Sequence, residues 1–166
     1  MVRSIFGLVV ILLAQLTALL SILGVGIVYG TDAFGALVQR PALARVNDVA
    51  LTAVMGNVHR YGDRRMPVPG VLGLVASAAA VVLAAIAGNA AEAIAAGTAL
   101  VLLVVWTVVY ARISAPINRV LTAASDNHET PAHARALQAG WDRVIVLRAT
   151  LQGLAVLALG ISLILG

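Results

Sequence analysis

Residues 141–165 read WDRVIVLRATLQGLAVLALGISLIL, a run that is predominantly apolar after residue 143 and contains one charged side chain there, Arg148. From residue 144 to residue 165 the run is long enough to cross a bilayer, which takes about 20 apolar residues. An ionisable side chain inside such a run costs several kcal/mol unless it faces the protein interior or water, and so it marks a candidate functional site. The stretch therefore predicts a transmembrane helix and singles out Arg148.

The composition of the whole chain favours the same class of protein. Of the 166 residues, 61% are hydrophobic and only 11% are charged, with a mean hydropathy of +1.02, so a soluble domain is hard to build from it. Three more apolar runs precede the one above, at residues 5–30, 71–87 and 94–113. We expect a single all-α membrane domain over residues 1–166, an integral membrane four-helix bundle.

The long connection after the first apolar run has a helical pattern of its own. Over residues 41–59 apolar side chains recur at helical spacing, and the recurring positions are Leu43, Val46, Ala50, Val54 and Val58. This predicts an additional amphipathic helix between spans one and two, lying in the membrane interface or capping the bundle. After span three, Pro116 is expected to stop the helix, and residues 125–131 have the composition of a solvated loop.

The arginines predict the orientation in the membrane. The connection after span one holds Arg40, Arg45, Arg60, Arg64 and Arg65, and the connection after span three holds Arg119, Arg135 and Arg143, with Arg112 at its edge. The positive-inside rule places both long connections in the cytoplasm and both termini outside, in the plasma membrane of a bacterium. With a net charge of +4 and so much lipid-facing sequence, anionic phospholipids are the expected partners, and nucleic acid is not.

Several chemistries find no support in the sequence. The chain has no Cys, which removes disulfides, thiolate metal sites and thiol redox chemistry. Hydrolase, nucleotide-binding and zinc-protease motifs are absent as well. His128 and His133 are five residues apart in a loop-like segment, which is weak spacing for a metal site, and we predict neither a metal nor an organic cofactor.

A polar constellation surrounds Arg148. Trp141, Arg148 and Gln152 are separated by seven and four residues and so share one helix face. Arg148 could snorkel to cytoplasmic head groups, or it could be a buried guanidinium that binds an anionic or enolate oxygen or a carbonyl. Asn118, just after the proline, could cap its helix or hydrogen-bond across the bundle.

Two aromatic residues and one histidine complete this group. Trp106 and Tyr110 lie four residues apart in the last turns of span three, where they could anchor the helix at the interface or line the same site. His59 could be solvated at a helix end, or it could serve as a base if it turns toward the bundle.

Two short motifs carry a resemblance to a known family. Residues 115–121, APINRVL, look like the "VPLNxxL" element that follows the third span in the anthrone-oxygenase-like family of small four-helix membrane proteins. Residues 141–148, WDRVIVLR, are similar to that family's "W-[DN]-R-x-H-x-x-R" start of the last helix, and the order of elements agrees over roughly residues 5–165. Where many members have His in the second motif, this chain has Ile145.

The resemblance implies an oxygenase of planar aromatic or quinol-type substrates, with molecular oxygen as co-substrate and no tightly bound organic cofactor. By this resemblance Arg148, helped by Asn118, would stabilise an enolate oxygen, and His59 would be the remaining candidate base. The residues expected to bind the planar substrate are Trp106, Tyr110, Trp141 and Gln152.

Two other classes compete with the enzyme. A non-enzymatic lipid- or quinone-binding protein, or an accessory subunit of a membrane complex, would use the same pocket without chemistry. A transporter is less favoured, because four spans without inverted repeats make a poor alternating-access device. Small residues such as Gly73, Ala76 and Ala80 could pack within the bundle or between protomers of a homo-oligomer.

Overall fold

The computed structural model describes residues 2–166, with side chains from Ile5 onward, and this part of the chain contains helices and no strand. The α-helices are α1 (Val2–Phe34), α2 (Arg40–Leu43), α3 (Asp48–Arg65), α4 (Pro67–Ile86), α5 (Ala90–Val109), α6 (Ala115–Asp126) and α7 (Ala134–Leu165). A five-residue π-helical turn joins α1 to α2 (Gly35–Gln39), and a second one joins α5 to α6 (Tyr110–Ser114). The all-α class is therefore confirmed.

Four helical segments are long and apolar enough to cross a membrane: Ile5–Leu43, Pro67–Ile86, Ala90–Asp126 and Ala134–Leu165. Between 17% and 39% of the apolar window of each segment is buried inside the protein, so most of this apolar surface faces outward. Exposed apolar surface of this extent is typical of lipid-facing helices. The structure is thus consistent with an integral membrane protein, as the sequence predicts.

Contacts within the chain define two compact units. The first, which we name the apolar unit, comprises Met1–Tyr29, Val68–Val105 and Leu151–Gly166; the second, the polar unit, comprises Gly30–Pro67 and Trp106–Thr150. Every charged residue of the sequence except Arg3 and Glu92 falls in the polar unit. The chemistry available to the protein is therefore concentrated in one of the two units.

Small residues hold the apolar unit together. Its core contains Ala18, Ala80, Ala96, Ala155 and Leu159, all almost fully buried. A Cβ atom added at Gly24 would lie 2.6 Å from the carbonyl oxygen of Pro69 and 2.8 Å from the backbone nitrogen of Gly73. The hydroxyl of Ser21 donates a 2.7 Å hydrogen bond to the Gly73 carbonyl. Two backbones thus meet closely, which is the usual packing of helices in membranes.

In the polar unit, α3 packs against α6. A Cβ atom at Gly56 would lie 2.6 Å from the carbonyl oxygen of Leu121 and would overlap the side chain of Ser125. The hydroxyl of Thr122 donates to the Gly56 carbonyl at 3.3 Å. Around this crossing lies a core of large side chains, made of Leu43, Met55, Leu121, Trp141 and Ile145.

Helix α3 differs in position from the helix expected over residues 41–59. It begins at Asp48 because Asn47 caps it, its side chain accepting a 2.8 Å hydrogen bond from the Ala50 N–H. It ends at Arg65. Its buried face carries Leu51, Met55 and His59 with Thr52 and Gly56, whereas Val54 and Val58 from the expected apolar stripe are exposed.

The expectation that Pro116 stops its helix is wrong, because the candidate span continues to Asp126. Proline cannot donate to the carbonyl four residues earlier, and here the chain passes through the π-helical turn Tyr110–Ser114 just before it. The Ala115 N–H bonds to the Tyr110 carbonyl, five residues back, and α6 then starts with Pro116 in its first turn. Pro41 repeats the arrangement: the Arg40 N–H bonds to the Gly35 carbonyl. Each proline therefore follows a locally widened helix.

Helix α6 ends in a Schellman motif at residues 127–129. The Glu129 N–H bonds to the Ala124 carbonyl at 2.9 Å and the His128 N–H to the Ser125 carbonyl at 3.3 Å. His128 takes the left-handed position, with φ of 57°. The loop between α6 and α7 thus leaves the helix in a fixed direction.

Candidate functional site

Arg148 is buried in the polar unit, with 6% of its surface exposed. Its Nη2 lies 2.7 Å from Oδ1 of Asp32, and its Nη1 donates to the Ser114 hydroxyl at 2.9 Å. Both partners are also buried. The guanidinium is therefore held inside the protein by an ion pair rather than extended toward head groups.

Asp32 is a residue whose importance the sequence analysis missed. Its second carboxylate oxygen, Oδ2, accepts a 3.2 Å hydrogen bond from the indole N–H of Trp106. A buried ion pair offsets its desolvation cost only when further hydrogen bonds satisfy the two charges, and Trp106 and Ser114 supply them. A buried arginine in an apolar run needs an acidic partner close in space. A search for that partner could have identified Asp32, at the end of the first apolar run.

A second carboxylate, that of Asp63, organises the other side of the site. Its Oδ1 accepts hydrogen bonds from the Tyr110 hydroxyl at 2.7 Å and from the side-chain amide of Asn118 at 2.9 Å. Asp63 is half-buried near the end of α3. In the sequence it is one acid among the basic residues 59–65, and nothing there indicates that it binds two side chains near residues 110–118.

The π-helical turn between α5 and α6 supplies a donor to the Asp63 carboxylate and an acceptor to the Arg148 guanidinium. Tyr110 and Ser114 are its first and last residues, and they reach Asp63 and Arg148 respectively. Turns of this kind insert one extra residue into a helix and are frequent at functional sites. In this structure the turn aims two neighbouring side chains at different partners.

Three aromatic rings surround the guanidinium. The Cζ atom of Arg148 lies 5.3 Å from the ring centroid of Tyr110 and 5.9 Å from those of Trp106 and Trp141. Trp106 and Tyr110 are stacked, with centroids 5.9 Å apart and planes 16° from parallel. A cation within about 6 Å of an aromatic face is attracted by the ring's charge distribution. Three of the four residues predicted to bind a planar substrate thus lie together.

His59 is buried one turn before Asp63, and its ring centroid is 5.8 Å from that of Trp141. Burial lowers the pKa of His59 to about 4; the nearby Asp63 carboxylate opposes this shift, while the Arg148 charge adds to it. The imidazole is therefore neutral at pH 7. A neutral imidazole can accept a proton, as a general base must, but the lowered pKa makes it a weaker base than an exposed imidazole.

Three buried polar atoms near this group have no hydrogen-bond partner within the described residues. They are Nε2 of His59, Nε1 of Trp141 and Oδ1 of Asn118. The indole N–H is a donor, the amide oxygen is an acceptor, and the imidazole nitrogen is either, depending on its tautomer. Burying a polar atom without a hydrogen-bond partner costs free energy. A ligand with both donor and acceptor groups would supply the missing hydrogen bonds.

Gln152, the remaining predicted residue, belongs to the apolar unit, where it is 1% exposed. Over residues 2–166 no group of three or more His, Asp and Glu side chains is arranged to hold a metal ion.

Comparisons with known protein families, with curated proteins and with solved structures find no match for this chain. The resemblance to anthrone oxygenases therefore rests on its two motifs.

Proposed function

We propose that the protein is a four-helix bundle in the plasma membrane of a bacterium, with both long connections in the cytoplasm and both ends of the chain outside. The arginine distribution supports this orientation. Helix α3 would be the additional helix at the cytoplasmic interface. The exposed side chains of Val54 and Val58 suit a helix that lies against lipid.

The function we infer for this bundle is oxygenation of a planar aromatic or quinol-type hydrophobic substrate. The observation that carries it is the buried imidazole of His59, whose ring centroid lies 5.8 Å from that of Trp141 in the aromatic cluster around Arg148, and whose Nε2 has no hydrogen-bond partner within the described residues. Such a group can remove a proton from a substrate stacked on the aromatic rings. The motif resemblance supplies the reaction class.

In the proposed reaction His59 takes a proton from the CH₂ group of an anthrone, which two aromatic rings conjugate to a ketone, leaving an enolate. The enolate gives an electron to O₂, and the resulting radicals combine at the former CH₂ carbon. The protonated His59 returns its proton to the peroxide anion that forms, and the hydroperoxide then loses water, with the second hydrogen of the former CH₂ group, to leave a carbonyl. Overall the CH₂ loses two hydrogens and gains one oxygen atom of O₂, while the second oxygen atom leaves as water.

The geometry refines the roles of Arg148 and Asn118. The positive charge of Arg148 is balanced by Asp32, so its guanidinium would contribute a fixed electrostatic environment for the enolate oxygen. Asn118 gives its N–H to Asp63 and has its oxygen free, so it would accept a hydrogen bond from a substrate hydroxyl. The free indole N–H of Trp141 would donate to the enolate oxygen.

The test is oxygen uptake by the full chain in mild detergent with an anthrone or a hydroquinone. Replacing His59 with Gln should lower turnover by about 100-fold or more, the usual contribution of a general base. The exposed His133, replaced in the same way, should change nothing. Unchanged turnover in Arg148→Leu would remove Arg148 from the mechanism.

One observation favours a non-enzymatic function. Ile145, at the position where the family motif has His, is fully buried in the apolar core of the polar unit and leaves no base there. A lipid- or quinone-binding protein, or an accessory subunit of a membrane complex, would use the same cluster to bind without turnover. Mass spectrometry of the purified protein that finds a bound quinone, with no oxygen uptake on any substrate, would support this alternative.

A further inference from the structure

A groove of about 480 Å³ lies in the polar unit, apart from the residues assigned above. One wall is a face of α3 that includes Thr52 and Arg60; the other is the end of α6 and the following loop, including Asp126, His128 and Glu129. In the proposed topology both walls belong to the cytoplasmic connections. The groove would then lie at the level of the lipid head groups.

The groove is part of a fixed structure. Gly56 brings α3 so close to Leu121 and Ser125 of α6 that no side chain fits at that position. Arg60 forms an ion pair with Asp126 across the two walls. The Schellman motif sets the direction of residues 127–129. The walls therefore stand at a defined separation.

Thr52 is the clearest sign of a ligand. It is 1% exposed, it lines the groove, and its hydroxyl has no hydrogen-bond partner within the described residues. Threonines in the other helices behave differently: the hydroxyls of Thr17, Thr98 and Thr150 each donate to the carbonyl four residues earlier. The Thr52 hydroxyl thus lacks the backbone acceptor that these threonines use, and it belongs to a residue that lines the groove.

The charges of the groove indicate what that molecule carries. Arg60 gives its Nη2 to Asp126, but its Nε is buried without a hydrogen-bond partner within the described residues, so Arg60 and Thr52 each offer one donor to an anionic group. The exposed carboxylate of Glu129 offers an acceptor for a cation. A small molecule that carries both an anionic oxygen and an ammonium group would match the donors of Arg60 and Thr52 and the carboxylate of Glu129.

We propose that this groove binds a phosphoethanolamine group, with its phosphate on Arg60 and Thr52 and its ammonium on Glu129. The group could come from a phosphatidylethanolamine headgroup or from a soluble phosphoethanolamine compound. An ammonium group can donate to the Glu129 carboxylate, whereas a quaternary choline ammonium has no N–H, and so choline lipids should bind less well. The proposal does not depend on the oxygenase function.

The test is native mass spectrometry of the full chain, freed of lipid in detergent and titrated with phosphatidylethanolamine, phosphatidylcholine or phosphatidylglycerol. We expect phosphatidylethanolamine to bind about tenfold more tightly than the other two. Thr52→Val should weaken this binding about tenfold, the usual effect of losing a hydrogen bond to a charged group. Thr98→Val, whose hydroxyl bonds within its own helix, is the matched control and should leave binding unchanged.

Glu129→Gln is the second variant, and because Glu129 is exposed the substitution should leave the fold intact. It should remove the preference for phosphatidylethanolamine over phosphatidylglycerol. Competition by glycerophosphoethanolamine would show that the headgroup suffices, and binding of the intact lipid alone would show that the acyl chains add to it; both results support the proposal. Equal binding of the three lipids, or an unchanged preference in both variants, would overturn it.

Discussion

The apolar unit and the polar unit achieve specific packing by different means. In the apolar unit, alanines and glycines let backbones approach, and the contact between Gly24 and Gly73 leaves no room for a methyl group. In the polar unit, the Asp32–Arg148 pair and the two donors on Asp63 fix side chains in directed hydrogen bonds. In lipid the hydrophobic effect does not favour one helix partner over another. Shape provides the specificity in the apolar unit, whereas in the polar unit directed charges and hydrogen bonds add to the close approach at Gly56.

The largest effect should come from removing one charge of the buried pair. Asp32→Leu leaves the Arg148 guanidinium without its counter-ion and should lower the free energy of unfolding by about 3–5 kcal/mol. Adding Arg148→Met to that variant should restore most of the loss, because an apolar pair needs no compensation. Thermal unfolding in detergent measures both. If the single variant unfolds at the same temperature as the parent, the pair does not organise the polar unit.

A pH titration examines the same unit through His59. Because burial lowers the pKa of this imidazole from 6.5 to about 4, the unfolded chain binds its proton at a higher pH than the folded protein does. Stability should therefore decrease as the pH falls from about 6.5 to about 4, by up to about 3 kcal/mol. His59→Gln should be less sensitive over this window. If the stability of parent and variant changes with pH in parallel, protonation of His59 is not the cause of the loss at low pH.

In the apolar unit, the corresponding test concerns shape. Gly24→Ala puts a methyl group against the backbone of Pro69 and Gly73 and should cost about 1–3 kcal/mol. Gly26→Ala is the matched control, since a Cβ at Gly26 meets nothing within 4 Å. It should be neutral or slightly stabilising, because alanine is the better helix former. Equal effects of the two substitutions would contradict close packing at Gly24.

The smallest expected change, and one of opposite sign, concerns Glu92. This carboxylate is 1% exposed, and neither of its oxygens has a hydrogen-bond partner in the described chain. Unlike Asp32, it pairs with no cation among the described side chains, from Ile5 onward, so Glu92→Met should raise stability by about 1–2 kcal/mol. The unfolding midpoint in detergent is the measurement. A clear decrease would show that Glu92 has a role that its contacts do not reveal.

The sequence was sufficient to predict the fold class. Apolar runs of about 20 residues identify membrane-spanning helices whatever they pack against, and four such helices are found. The extent of the helices was harder to predict. Pro116 is a common sign of a helix end, but here a π-helical turn carries the chain past it, and a second such turn precedes Pro41.

The candidate site was only half visible in the sequence. Arg148 stands out because a charge within an apolar run costs free energy. This cost can be recognised from the residue and its sequence neighbours alone. Its partner Asp32 is 116 residues away in the chain, and no local pattern connects the two. Asp63 was hidden for a similar reason, because its donors, Tyr110 and Asn118, come from other helices.

The π-helical turn at Tyr110–Ser114 has a consequence for how this chain can change during evolution. Successive residues of an α-helix are rotated by about 100° around its axis, so a single inserted residue shifts the phase of everything that follows. A one-residue deletion here would restore a regular helix and keep its composition, yet it would turn Asn118 and Leu121 away from α3. The contacts of α6 with α3 therefore depend on the number of residues in this turn as well as on their identity.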